Sequence, residues 1–336
     1  MEKFRKTIYI IFSIIAIVVV VGSLLSVLRN TEVRFLKMLD FPRIQFSIAA
    51  IFTLLLLLIL TKGWKWYDFL LTMGLVAAVI IHCTYIINYT SFVQKRVATA
   101  KDNSANDQIS ILLTNVKESS RTAQPLLDLI ETKSPDLIIA MEVDSWWDKQ
   151  LKQVEKDYPY AQKSINEVAY GMALYSKFPL RAVELNYLQN RKVPSLESTV
   201  QLRKGKSFML YCTHPVPPTH FEKLPDNAGE QEVSLIKIGK IVKASNLPSI
   251  VAGDINDVSW GNTDELTKTK NLLHDVRVGR GFYNSYNAEN ILMRWPLDHI
   301  YVTKEFQLIS LERMPHIGSD HFPIFAKLVL KNKPSN

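Results

Sequence analysis

The distribution of apolar and polar positions divides the chain into two parts of different character. The first 90 residues contain three uncharged apolar runs, each long enough to cross the hydrocarbon core of a bilayer as a helix. These runs occupy residues 7–28, 44–61 and 69–90. One such run is compatible with a buried helix of a soluble protein, but three of them predict a transmembrane region over residues 1–92.

The first apolar run is predicted to be an uncleaved anchor. It follows the basic segment MEKFRK, as the core of a signal peptide would. However, the run is longer than a signal-peptide core and no A-x-A-like cleavage site follows it. We therefore expect an integral membrane protein.

Beyond residue 107 the pattern changes to short apolar runs that alternate with helical ones. Strand signals occur at 109–114, 136–142, 171–176, 207–214, 248–254, 297–303 and 322–330. Apolar residues recur at helical spacing over 123–132 and 230–245. The alternation predicts an α/β domain of layered sheets and helices over residues 108–332, joined to the membrane region by a polar linker at 93–107.

Polar side chains stand at the ends of these predicted strands, where α/β proteins gather binding and catalytic groups. They are Asn115, Glu142, His214, Asp254, Asn256, Asp298, Asp320 and His321. A single Asn or Asp at such a position is usually a turn former. A turn requires neither Glu142 nor His214, so the set as a whole predicts a functional site.

The motifs that carry these residues resemble the endonuclease/exonuclease/phosphatase superfamily, which includes deoxyribonuclease I, abasic-site endonucleases, neutral sphingomyelinases and inositol-phosphate phosphatases. The similar motifs are GMALYSKFPL, TH, GDIN, LDHI and GSDHFPI, in that order within residues 108–330. The resemblance implies a four-layer α/β sandwich, with two packed β-sheets flanked by helices. Three positions depart from the usual pattern, namely Met141, His299 and Pro215.

The same resemblance implies hydrolysis of phosphate esters with Mg²⁺ or Mn²⁺, hard cations that bind carboxylate and amide oxygens. The implied metal group is Asn115, Glu142 and Asp320, with Glu142 as the principal ligand. The implied catalytic group is His214, Asp254, Asn256, Asp298 and His321. In it Asp254 activates the attacking water and Asn256 holds water or phosphate. Asp298 orients His321, and both histidines donate to the phosphate or its leaving group.

The net charge of +8 does not identify a nucleic-acid-binding surface. Residues 1–100 contribute +7 and residues 101–336 contribute +1, so the excess of Lys and Arg belongs to the membrane half. A near-neutral catalytic half with three membrane spans favours a lipid-linked phosphate over nucleic acid. The arrangement is also similar to bacterial membrane proteins of the teicoplanin-resistance type. That resemblance implies a substrate related to undecaprenyl pyrophosphate, outside the cytoplasm.

Three other functions stay open at this point. One is a membrane-tethered nuclease acting on nucleic acid, and another is a phosphodiesterase acting on phospholipids or sphingolipids. The third is a membrane-held binding module without activity. That third function predicts gaps in the polar set, and the sequence contains all of its members.

Two signals disagree about the orientation of the membrane region. With the N-terminus inside, five Lys and Arg residues are cytoplasmic and seven are outside, which opposes the positive-inside rule. Some of the basic residues outside are neutralised if they pair with Glu32 or Asp40. The segment MEKFRK and the short loop with Lys62, Lys65 and Trp64 favour the N-terminus inside. We predict that orientation, which places the catalytic domain outside.

Overall fold

The computed structural model of the chain describes residues 2–28, 33–100, 107–219, 224–226, 232–261 and 267–331. The chain forms two compact units, residues 1–88 and 89–336. Within the predicted linker, residues 101–106 lie outside the described ranges. Its described part is packed, because Val97 is buried in the core of the second unit and Leu308 N donates to Ala98 O at 2.9 Å.

The described residues of the first unit form four α-helices. They are α1 (Glu2–Leu25), α2 (Arg34–Met38), α3 (Arg43–Leu60) and α4 (Trp66–Ile86), the last continuing as a 3-10 turn to Tyr89. Three segments are long and apolar enough to cross a membrane, namely Glu2–Leu25, Arg43–Leu60 and Trp66–Tyr89. Each begins one to five residues before the predicted run, because Lys, Arg and Trp at the flanks are compatible with a helix.

The long helices of the first unit pack through small residues and expose large apolar ones. Ala16, Ala50 and Ala78 are buried between helices. Ile59 and Met73 are 75% and 68% exposed. Small residues inside and large apolar residues outside are the arrangement expected of helices surrounded by lipid.

In the part of the second unit that the structure describes, the strands form two sheets of six. The first has the order β11-β12-β1-β2-β4-β3 and the second β5-β6-β7-β8-β10-β9, numbered along the chain. The strands are β1 (Gln108–Asn115), β2 (Leu137–Met141), β3 (Tyr160–Ser164), β4 (Met172–Ser176), β5 (Leu180–Asn186), β6 (Ser195–Gln201), β7 (Ser207–Thr213), β8 (Ser249–Asp254), β9 (His274–Asp275), β10 (Asp298–Val302), β11 (Phe306–Arg313) and β12 (Ile324–Leu330).

Helices cover the outer faces of both sheets, which confirms the predicted four-layer sandwich. They are α5 (Gln124–Lys133), α6 (Ser145–Leu151) and α7 (Glu232–Ala244). Leu126 and Trp147, from α5 and α6, pack on the first sheet, whereas Ile238 from α7 packs on the second. The largest core cluster lies between the two sheets.

The central strands are apolar on both faces, because each is covered on both sides. In β1, Ile111 and Leu113 face the core between the sheets, whereas Leu112 faces the helices. In β8, Ile250 faces the same core and Val251 faces α7. Such continuous apolar runs are why these strands were predictable from the sequence.

Several strands escaped the sequence prediction because their residues are largely polar or exposed. Along β5, which lies at an edge of the second sheet, five consecutive residues are exposed. The edge strands β3 and β11 are also partly exposed. An edge strand buries too little of its surface to need an apolar run.

Candidate active site

Strand register brings the predicted polar residues to one end of the sandwich. In the parallel pair β1–β2, Asn115 is opposite Met141, so Glu142 follows directly beside Asn115. In the antiparallel pair β8–β10, Asp254 is opposite Asp298. Residues distant in sequence therefore meet because the ends of four strands coincide.

Asn115 joins the two sheets through its side-chain amide. Its Nδ2 donates to Glu142 Oε1 at 2.8 Å and to Asp254 Oδ2 at 3.1 Å. Its Oδ1 accepts from Lys117 N at 2.9 Å. The residue is fully buried. Because the amide nitrogen faces the two carboxylates, these bonds favour a role for Asn115 in orienting them.

Glu142 is held in a backbone conformation that a residue with a side chain rarely adopts. Its φ is 61°, and Lys117 and Asn256 also have positive φ, at 57° and 54°. Glu142 Oε2 accepts from Glu118 N at 3.1 Å. Non-glycine residues in the left-handed region concentrate at functional sites, where the surrounding structure fixes a side chain in place.

Asp254 Oδ2 is the point on which three nitrogen atoms converge. His321 Nε2 lies 3.5 Å from it and His214 Nε2 lies 3.7 Å from it, in addition to Asn115 Nδ2. The other oxygen, Oδ1, accepts from Asn256 N at 2.9 Å. Burial raises the pKa of Asp254, and the two histidines act in the opposite direction.

His321 is a buried imidazole held by a buried carboxylate. Its Nδ1 lies 2.7 Å from Asp298 Oδ2, so Nε2 is directed towards Asp254. Burial would lower the pKa of His321, but Asp298 and Asp254 outweigh it and raise the pKa to about 10. For Asp298, burial would raise the pKa, but the charge and hydrogen bond of His321 lower it. His321 is therefore a cationic donor at neutral pH.

His214 and Asn256 border the same carboxylate. His214 is buried, and its Nδ1 has no hydrogen-bond partner among the described residues. The Tyr170 ring packs on the imidazole with a centroid distance of 5.0 Å. Asn256 Nδ2 donates to Pro215 O at 2.9 Å, so the predicted substrate-side amide ties the segment after His214 to the segment after β8.

Asp320 is joined to the site through Lys117 rather than through Glu142. Its Oδ2 lies 3.5 Å from Lys117 Nζ, and its side chain is 23% exposed. Lys117 itself follows Asn115 by two residues, which places Asp320 at the rim of the site. Side-chain contacts thus connect six predicted residues, namely Asn115, Glu142, His214, Asp254, Asp298 and His321. Asn256 joins them through its backbone N.

Several supporting residues were missed in the sequence. Ser319 Oγ donates to Asn115 O at 2.8 Å and accepts from His321 N at 3.1 Å. Ser285 Oγ accepts from Asp298 N at 3.1 Å. The Tyr286 ring lies 4.9 Å from the His321 ring. Of these residues, only Ser319 lies within a motif noted in the sequence, GSDHFPI. Ser285 and Tyr286 come from a segment that lies outside the motifs.

The donor set fits a hard divalent cation. Glu142 is half-buried and presents both carboxylate oxygens in a fixed orientation. Burial and the negative charges of Glu142 and Asp144 raise the pKa of Glu118. The negative charge around Glu142 therefore disfavours ionisation of the neighbouring Glu118 carboxyl. The same negative charge attracts a cation.

The charge balance leads to the same conclusion. Four carboxylates, Glu142, Asp254, Asp298 and Asp320, meet two cationic groups, His321 and Lys117. A phosphate ester entering this site meets a surplus of negative charge. A bound divalent cation removes that surplus, so the residues present fit the metal that the resemblance implies.

Comparison with known proteins agrees with this geometry. A sequence profile of the Endonuclease/Exonuclease/phosphatase family matches residues 112–321. No curated protein matches the sequence.

Solved structures share the fold at low identity. The human Nocturnin catalytic domain with bound sulfate is 16% identical, with a TM-score of 0.52, covering 67% of this chain and 94% of that one. An endonuclease/exonuclease/phosphatase from Bacteroides vulgatus is 17% identical, with a TM-score of 0.52 and coverages of 67% and 99%. A humanized D. rerio TDP2 is 14% identical, with a TM-score of 0.50 and coverages of 66% and 99%.

Proposed function

Because the chain belongs to the endonuclease/exonuclease/phosphatase family, we propose that its second unit hydrolyses phosphate esters with a divalent cation, Mg²⁺ or Mn²⁺. The observation that carries this proposal is the convergence on Asp254. Its Oδ2 lies 3.5 Å from the Nε2 of His321, an imidazole that Asp298 holds. A carboxylate can accept a proton from the attacking water, and a fixed cationic donor can stabilise the charge that develops on the phosphoryl oxygens.

In the proposed reaction, Asp254 orients a water molecule and accepts its proton. The other Asp254 oxygen is fixed by Asn256 N, so the carboxylate cannot rotate away. His321 donates through Nε2 to a non-bridging oxygen of the phosphate. His214, beside the same carboxylate, donates to the phosphate or to the leaving oxygen. Positioning and charge stabilisation account for most of the catalysis in such a reaction.

Glu142 is the proposed principal ligand of the metal, and Asn115 orients it. When bound, the cation offsets charge on the phosphoryl oxygens and helps to lower the barrier. Asp320 is the proposed second carboxylate of the metal group, and Lys117 holds it at the rim. Two carboxylate ligands suit a hard divalent cation, because such an ion binds oxygen atoms and keeps several water molecules.

A lipid-linked phosphate or pyrophosphate is the proposed substrate. Support comes from the three helices that are long and apolar enough to span a membrane in the same chain. Further support is the charge of residues 101–336, which is only +1 and offers little attraction to a nucleic-acid backbone.

A nucleic-acid substrate is the second candidate. A D. rerio TDP2 of the same fold has been solved with a single-stranded DNA product, at 16% identity and a TM-score of 0.50. That likeness concerns the fold alone. The proposed membrane tether would keep such a nuclease at a membrane surface.

We place the N-terminus inside and the catalytic unit outside the membrane. In the first unit Arg43 is buried and forms an ion pair with Asp40. We discount Arg43 in the positive-inside balance because of its burial within the first unit, since the rule counts Lys and Arg and gives little weight to acidic partners. Glu32, the other candidate partner, lies outside the described residues. C-terminal reporter fusions that are active on one side only decide the orientation.

The proposed function is tested with the full chain in nanodiscs and a panel of substrates. The panel contains a polyprenyl pyrophosphate, a phospholipid, an inositol phosphate and single-stranded DNA, each with Mg²⁺ or with EDTA. We expect metal-dependent release of phosphate from the lipid pyrophosphate. Salt-sensitive cleavage of DNA with no action on any lipid would instead establish the nuclease.

A further inference from the structure

The segment between β9 and β10 carries three neighbouring apolar side chains that face solvent. Ile291, Leu292 and Met293 are 77%, 75% and 53% exposed, and we refer to them as the apolar tip. Among the described residues of the second unit, this is the only run of consecutive exposed large apolar side chains. Exposed apolar clusters of this kind mark surfaces that another phase or molecule covers.

Hydrogen bonds hold the apolar tip in its exposed position. Asn290 Oδ1 accepts from Leu292 N at 3.0 Å and from Met293 N at 3.3 Å. Asn287 N donates to Met293 O at 3.1 Å, and Arg294 Nε donates to Asn287 O at 3.0 Å. The exposure is therefore a property of the fold rather than of a frayed end.

The loop that carries the tip also forms a wall of the candidate active site. At its base the Tyr286 ring contacts the His321 ring. Ala288 N donates to Asp320 O at 2.7 Å, and Glu289 Oε2 lies 3.5 Å from Lys117 Nζ. Whatever covers the apolar tip is consequently next to the opening of the site.

The point at which the chain enters the second unit lies among the loops near the site. The Tyr89 ring contacts the rings of Trp260 and Phe282, with centroid distances of 6.2 and 6.3 Å. Trp260 belongs to the segment after Asp254, and Phe282 precedes the loop with the apolar tip. In the chain, Tyr89 is the last residue of the candidate membrane span Trp66–Tyr89. These loops therefore pack around the residue at which a candidate span ends.

We propose that the apolar tip inserts into the apolar layer of the membrane and holds the active site against the lipid surface. Its composition supports this occupant, because Ile, Leu and Met partition into lipid but offer no ring on which a base could stack. Arg294 and Trp295 follow the tip, and these residue types suit the headgroup region. Entry of a lipid substrate from the membrane rests on the proposed function, whereas insertion of the tip does not.

The test of insertion is the depth of a fluorescent label at Leu292. The full chain with Cys83→Ala leaves Cys212, which is buried, so Leu292→Cys is labelled selectively with an environment-sensitive dye. Val183→Cys serves as a control, because Val183 is 49% exposed on β5, at the opposite edge of the second sheet from β9. We expect doxyl-labelled lipids in the nanodisc to quench the label at residue 292 and not at residue 183. Equal quenching at both positions, or none at residue 292, overturns the proposal. A repeat with Ile291→Cys guards against a local effect of one substitution.

Enzyme activity provides a second test of the apolar tip. The triple variant Ile291→Ser, Leu292→Ser, Met293→Ser is compared with Val183→Ser, Leu185→Ser. Turnover is measured on a polyprenyl pyrophosphate in nanodiscs and on soluble bis(p-nitrophenyl) phosphate. We expect the ratio of lipid to soluble turnover to fall about tenfold in the tip variant only. An unchanged ratio contradicts a role of the tip in reaching the lipid substrate. Quenching at residue 292 in a chain that cleaves no lipid supports insertion and contradicts the lipid substrate.

Discussion

His321 Nδ1 lies 2.7 Å from Asp298 Oδ2, and both residues are buried. The two residues come from β10 and the segment before β12, which belong to different sheets. The pair therefore depends on the packing of the sandwich as a whole. It also leaves one imidazole nitrogen, Nε2, for the substrate side.

The first prediction concerns this pair as a unit. We expect Asp298→Ala and His321→Ala each to lower kcat by about 10²- to 10³-fold, with the double variant little worse than either. The reason is that His321 donates in the correct orientation only while Asp298 holds it. The four proteins, namely the wild type, the two single variants and the double variant, are compared by their initial rates of hydrolysis of bis(p-nitrophenyl) phosphate. Additive losses would show that the two side chains act independently.

The second prediction concerns the pH dependence of the same pair. Asp298 and Asp254 raise the pKa of His321 to about 10, so the wild type keeps its donor through neutral pH and loses it as the pH approaches 10. Asp298→Asn removes one of the two charges and lowers that pKa. We expect the alkaline limb of the kcat profile to move to lower pH in the variant. An unmoved limb would mean that another group is responsible for it.

Part of this site was predictable from the sequence, because strands that are buried on both faces give continuous apolar runs. Those runs located the ends at which Asn115 and Asp254 stand. The sequence could not reveal that Glu142 has a φ of 61°, since tertiary contacts impose that conformation. Nor could it place Tyr170 on His214, because the two residues are 44 positions apart and meet only in the folded unit.

The third prediction concerns His299, which follows Asp298 in the sequence. At this position the chain departs from the usual motif of the superfamily. Its Nε2 donates to Asp257 O at 2.8 Å, while Nδ1 accepts from Arg277 Nη2 at 2.6 Å and Tyr301 Oη at 2.7 Å. Burial and the charge of Arg277 hold the pKa of His299 well below 6.5. The neutral imidazole is thus part of the fold.

Stability should fall on acidification for this reason. Below pH 6.5 the unfolded chain binds a proton at His299 that the folded chain refuses, so the free energy of unfolding decreases as the pH falls. His299→Gln cannot titrate, and we expect a shallower acid slope, by up to about 1.4 kcal/mol per pH unit. The pH dependence of stability is measured for the wild type and for His299→Gln by thermal unfolding between pH 5 and 8, followed by intrinsic fluorescence. Parallel slopes would assign the acid sensitivity elsewhere.

The fourth prediction concerns Gly253, the residue before Asp254. A Cβ at this position would lie 1.8 Å from Thr213 O, the carbonyl at the end of β7. We expect Gly253→Ala to displace β8 from β7, destabilise the second unit by about 3 kcal/mol and reduce activity by moving Asp254. Gly205→Ala is the control, because nothing lies within 4 Å of its Cβ and only backbone strain of about 1 kcal/mol is expected. Similar melting temperatures for the two variants would contradict this account.

Glu142 is the residue proposed to anchor a divalent cation at this site, and the Mg²⁺ dependence of hydrolysis by the full chain tests that role. Glu142→Gln keeps the shape of the side chain but removes the charge that holds a hard cation. Glu184→Gln, on the exposed strand β5, is the matched control. We expect EDTA to abolish wild-type turnover of bis(p-nitrophenyl) phosphate. We also expect Glu142→Gln alone to raise the Mg²⁺ concentration for half-maximal activity at least about tenfold. Wild-type turnover by Glu142→Gln at limiting Mg²⁺, or wild-type activity that persists in EDTA, would contradict that role of Glu142.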